Sequence, residues 1–140
     1  MSDRFFLDTN IFVYTFDRDA MQKAAKAQEL IRLALDSHKG IVSYQVVQEF
    51  FNVALRRFAR PMSALGAEQY LVAVFRPLLA VHSSPALYSE ALRIHSQGGL
   101  SWFDSLIVAA AVQSRCDLLY TEDLQHGRRF GNLRIVNPFQ

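Results

Sequence analysis

Short apolar runs alternate with longer stretches of helical period along this chain. Arg4 to Leu7 is apolar and ends abruptly at Asp8-Thr9-Asn10, which reads as a buried strand stopping at a polar, turn-forming tripeptide with Asp8 at its tip. From Ala20 to His38, Ala24, Ala27, Leu30, Ile31, Ala34 and Leu35 recur at helical spacing, and Gly40 follows as a stop signal. Gly40 to Ser43 predicts a second strand, followed by a helix from Tyr44 to about Ala59 that Pro61 closes. Ser63 to Leu79 predicts a helix with Ser63 as its N-cap, and Leu79 to His82 a third strand. Ser84-Pro85 opens a helix that Gly98-Gly99 ends, and another runs from Ser101 to Arg115. Leu118 to Tyr120 stops as a strand at Thr121-Glu122-Asp123, and Leu133 to Val136 is the last strand before Asn137-Pro138.

Strands alternating with helices predict an α/β fold, a three-layer α/β/α sandwich around a short central parallel sheet of four to five strands. At 140 residues, with no linker, repeat or low-complexity tract, the whole chain 1–140 is expected to be one domain. Its 51% hydrophobic and 20% charged composition excludes a disordered or fibrous chain, and 11 Phe predict an aromatic-rich core. A net charge of +2 neither demands nor excludes a nucleic-acid partner. The lone Cys116 cannot form an internal disulfide, and MSDRFFLDTN lacks a signal-peptide apolar region. A cytoplasmic protein without a membrane segment is the expectation.

Charge placement is more informative than charge total. Ligands of parallel sheets bind at the carboxyl ends of the strands, the edge where Asp8 and Asp123 fall. Asp104 opens a helix that Trp102, Phe103 and Leu106 to Val112 make apolar on nearly every face, so its charge calls for a partner. Ser101 three residues earlier forms a capping-box-like pattern. On the helix from Tyr44, the residues Gln45, Glu49, Asn52 and Arg56 share one polar stripe, opposite Val47, Phe51, Leu55 and Phe58. Four carboxylates gathered in one cleft repel unless a cation neutralises them. Oxygen-only ligands suit Mg²⁺ or Mn²⁺, which activate water for attack on a phosphodiester.

The segments LDTN at 7–10, QEFFN at 48–52, LSWFDSLIVAAA at 100–111 and LLYTEDL at 118–124 together resemble the PIN domain, and the resemblance spans essentially the whole chain. Length and spacing are most similar to VapC-type toxins of bacterial toxin–antitoxin pairs. The resemblance implies a metal-dependent endoribonuclease with Asp8, Glu49, Asp104 and Asp123 as its acidic set. Of these, Asp8, Asp104 and Asp123 would hold the metal, with Asn10 and Thr121 as polar helpers. Glu122 is the alternative to Asp123, which is favoured because it stands two positions after the threonine. The resemblance also implies an RNA substrate, a homodimer and a cognate antitoxin whose tail fills the cleft.

All but Asp104 have a plainer explanation when taken alone: Asp8 as a cap, Glu49 as a solvated helix residue, and Glu122-Asp123 as a helix start. Their joint order speaks against those readings. Arg56, Arg57 and Arg60, with Arg128, Arg129 and Arg134, could rim the cleft and hold RNA phosphates, although cations also favour helix C-termini. His38, His82, His95 and His126 have no zinc spacing. A haloacid-dehalogenase-like phosphohydrolase also begins with a strand ending in Asp, but its second Asp would fall at Asn10 and no lysine follows Lys39. A non-catalytic RNA- or protein-binding module is the remaining alternative.

Overall fold

The computed structural model describes residues 2–140. Its sheet has strands β1 (Phe5–Leu7), β2 (Gly40–Ser43), β3 (Leu79–Val81), β4 (Leu118–Tyr120), β5 (Arg129–Phe130) and β6 (Leu133–Val136), in the order β3-β2-β1-β4-β6-β5. All pairings are parallel except β5 with β6. The helix-flanked, mostly parallel sheet is the fold expected, but with six strands rather than four to five. The added β5 has two residues, too short for an apolar period to reveal.

The helices are α1 (Thr9–Tyr14), α2 (Met21–Ser37), α3 (Tyr44–Ala54), α4 (Ala64–Tyr70), α5 (Arg76–Leu78), α6 (Pro85–Gly98) and α7 (Trp102–Gln113); a π-helical turn, Leu71–Phe75, joins α4 to α5. Ser63, Ser84 and Ser101 act as N-caps, accepting from the N–H groups of Gly66, Leu87 and Asp104. The tripeptide after β1 is not a turn. Asp8 caps Thr9 N–H, and Thr9 and Asn10 begin α1 directly.

Gly40 does not stop α2. His38 ends it in the left-handed region at φ 60°. Gly40 instead lets β2 approach α2, since a Cβ there would collide with the Ala34 side chain and lie 2.7 Å from its Cα. The helix α3 stops at Ala54, before Ala59, and buries Gln45, Val46, Phe50 and Ala54 rather than the Val47–Phe51–Leu55–Phe58 side; Leu55 is 44% exposed. Phe50 sets this orientation. It stacks on Tyr70 at 5.0 Å and meets Phe75 at 5.2 Å and Phe58 at 5.9 Å, in the aromatic core that 11 Phe foretold.

Helix α7 is buried from Ser105 to Ala111, and packs against β2, β4 and α6. This central position fixes Asp104, one turn from the helix start, at the carboxyl edge of the sheet. Among the described residues no helix is long and apolar enough to cross a membrane.

Candidate active site

A cleft of about 500 Å³ is lined by Asp8, Thr9, Asn10, Val13, Tyr14, Glu49, Asn52, Val53, Asp104, Ile107 and Asp123. All four acids of the expected set therefore line one space, brought there by β1, α3, α7 and the segment after β4. Among the described residues no lysine or arginine lines it.

Asp8 is 5% exposed and the most constrained of the four. Its Oδ1 accepts from Thr9 N–H at 2.7 Å and its Oδ2 from the Thr121 hydroxyl at 2.8 Å. Burial pushes its carboxyl up to about 7; those two hydrogen bonds oppose the shift, and the charges of Asp123 and Glu49 reinforce it. Buried Thr121 also accepts from Asp123 N–H at 3.1 Å and from Asn10 Nδ2 at 3.4 Å. One hydroxyl thus couples the tip of β1 to the segment after β4. Asn10 Nδ2 donates to Asp123 Oδ2 at 3.0 Å.

Glu49 is oriented from both sides. Its Oε1 accepts from Thr9 Oγ1 at 2.8 Å, and its Oε2 from Gln45 Nε2 at 3.4 Å. Gln45 also donates to the Phe103 carbonyl at 3.2 Å, tying α3 to the start of α7. Sequence reasoning did not assign Thr9 a role and placed Gln45 on a polar stripe without foreseeing its burial. The i, i+4 spacing of Gln45 to Glu49 was the one available signal. Asp104 N–H donates to Ser101 Oγ at 3.1 Å, the cap its sequence suggested.

Glu122, the alternative fourth acid, is engaged elsewhere. Lys23 Nζ donates to its Oε1 at 2.6 Å and to Tyr14 Oη at 3.2 Å. Burial raises the Glu122 carboxyl, but hydrogen bonds with Lys23 and Tyr14 outweigh this and hold it below its ordinary value. Arg56, Arg57 and Arg128, the arginines expected at the rim, are not among the residues that line the cleft. Arg56 and Arg57 are exposed beyond the end of α3, and Arg128 donates to the Gly98 carbonyl at 2.6 Å and lies 4.7 Å over the Phe130 ring, in a separate hollow with Arg93 and Arg129. His126 accepts from Asn137 N–H at 3.0 Å and holds a loop.

The donors fit a hydrated hard cation rather than a closed cage. Among the described residues no three His, Cys, Asp or Glu side chains converge closely enough to enclose an ion. The cleft nevertheless offers carboxylates on several walls, and the amide oxygen of Asn10 is buried without a partner. Mg²⁺ and Mn²⁺ take oxygen ligands, retain several waters and use few protein carboxylates, so the all-oxygen donors lining the cleft suit them.

The PIN domain family model matches residues 5–130, and the chain belongs to that family. Similar solved structures include FitAcB from Neisseria gonorrhoeae, 19% identical over 96% of this chain and 98% of that one with a TM-score of 0.68. A toxin–antitoxin complex from Klebsiella pneumoniae is 18% identical over 95% and 96%, with a TM-score of 0.65. VapC20 of Mycobacterium tuberculosis, described as a sarcin–ricin loop cleaving toxin, is 17% identical over 85% and 91%, with a TM-score of 0.60. At such identities the likeness is one of fold. No curated protein sequence is significantly similar to the chain.

Proposed function

We propose that this protein is a metal-dependent endoribonuclease acting as the toxin of a bacterial type II toxin–antitoxin pair. The observation that carries the reading is the convergence on one cleft of Asp8, Glu49, Asp104 and Asp123, acids up to 115 positions apart in sequence. A divalent cation bound at Asp8, Asp104 and Asp123 partly through retained waters would supply an activated water and neutralise the phosphate charge. The chain's own residues do the rest. Thr121 and Thr9 fix the Asp8 carboxylate, and Asn10 fixes Asp123. Glu49, braced by Thr9 and Gln45, is oriented to accept a proton from the attacking water. The low-polarity floor of the cleft, Val13, Val53 and Ile107, strengthens these interactions.

The similar structures, a toxin–antitoxin complex and a sarcin–ricin loop cleaving toxin among them, support an antitoxin partner and an RNA substrate for this chain. Association with a second copy belongs to the same proposal, with light scattering as its measurement. Incubation with single-stranded RNA and Mn²⁺ or Mg²⁺ should give fragments, and EDTA should stop their formation. Binding of RNA without fragments under either metal would favour a non-catalytic module, and phosphate release from small esters without RNA fragments a phosphohydrolase.

A further inference from the structure

Resting on that reading, we infer that Lys23 is a positioning residue for the metal-holding end of the cleft, acting through Glu122 and Tyr14. Lys23 lies in the first turn of α2 and lines no part of the cleft, yet among the described residues it is the one lysine or arginine whose side chain is hydrogen-bonded to a residue that does, Tyr14. Its ammonium closes a three-way junction. It donates to Glu122 at 2.6 Å and to Tyr14 at 3.2 Å, and it lies 4.8 Å over the Tyr14 ring and 5.7 Å from the Phe139 ring centroid. Tyr14 in turn packs edge-on against Phe139 at 5.0 Å.

The junction joins three separate pieces of chain: the end of α1, the start of α2 and the segment after β4. That segment is Thr121-Glu122-Asp123, too short to move one residue without its neighbours. Thr121 is fixed on Asp8 from the buried side, and Glu122 is fixed on Lys23 from the solvent side. Asp123 stands next to both anchors and depends on them for its place beside Asn10. Outer partners that orient metal ligands typically change metal affinity or activity 10- to 100-fold.

Electrostatics and positioning predict opposite results, which makes the inference decidable. Replacing Lys23 by Met removes the cation beside Glu122 and leaves that carboxylate without its ion pair, so a purely through-space effect would tighten Mn²⁺ binding. Positioning predicts weaker binding. The experiment titrates the metal-free protein with Mn²⁺, followed by the electron paramagnetic resonance of the free ion, for wild type, Lys23→Met, Lys23→Arg and Glu122→Gln. RNA cleavage and melting temperature are measured on the same samples. The dissociation constant should rise about 10-fold in Lys23→Met and Glu122→Gln, with little change in melting temperature, and Lys23→Arg should restore most of it. Unchanged or tighter binding by Lys23→Met, or an equal loss in Lys23→Arg, overturns the inference while the nuclease reading stands. A wild type that binds no Mn²⁺ overturns both.

Discussion

At the scale of the residue, Asp8 shows most clearly how burial and function conflict. A carboxylate 5% exposed beside two other acids is unfavourable in its charged form, and its carboxyl rises from the ordinary value near 3.8 to about 7. Below the unfolded value both states are protonated and Asp8 carries no penalty. Between about 4 and 7 the folded chain keeps a proton that the unfolded chain has lost, so stability falls as pH rises through that window. The loss amounts to about 4 kcal/mol and is complete above the folded value. Urea unfolding of the metal-free protein from pH 4 to 8 should show this decline, and Asp8→Asn should flatten it. An equally steep decline in Asp8→Asn would place its origin elsewhere. Thr9 belongs to this scale too: its role was hidden because a hydrogen bond to Glu49 across 40 positions leaves no local pattern, whereas Gln45 left its i, i+4 spacing to Glu49.

At the scale of the element, the strongest sequence signals are those with a local physical cause. The serine caps at 63, 84 and 101, and the apolar helix from Ser101, are visible because capping and burial act within a few residues of the pattern that records them. Helix α1 was hidden because six residues cannot display an apolar period, and Asp-Thr-Asn serves turns and helix starts equally well. The rotation of α3 was hidden because Phe50 and Phe51 are both large and apolar, and only a tertiary partner such as Tyr70, which stacks on Phe50, chooses between them. Gly40 was visible as a glycine but misassigned, since close packing on Ala34 is a contact between elements. Gly40→Ala should destabilise the fold by about 2–3 kcal/mol, as overpacking does where a backbone atom cannot yield. Chemical denaturation measures it, and a neutral result would mean that β2 can move off α2.

At the scale of the whole molecule, the sheet collects acids that the sequence scatters. The carboxyl ends of β1 and β4 bring Asp8 and Asp123 together, and the order β2-β1-β4 puts α3 and α7 within reach of the same cleft. The alternation of strands and helices made that edge legible, and with it the four acids. What it did not make legible was the choice between Glu122 and Asp123 or the positions of the arginines. Neighbouring residues on an irregular segment point different ways, and only the partners Lys23, Asn10 and Gly98 show which way. Among the described residues no lysine or arginine lines the cleft, so under the proposed function phosphate charge would be met by the metal and by residues outside the cleft.

The measurement that bears most directly on the carboxylate cluster compares wild type with Asp104→Asn on single-stranded RNA in Mn²⁺, with melting temperatures recorded alongside. Asn keeps the backbone N–H that donates to Ser101, so the helix start should survive and the melting temperature stay close to that of wild type. Cleavage should fall by at least 100-fold. Undiminished cleavage by a folded Asp104→Asn would contradict the proposed site.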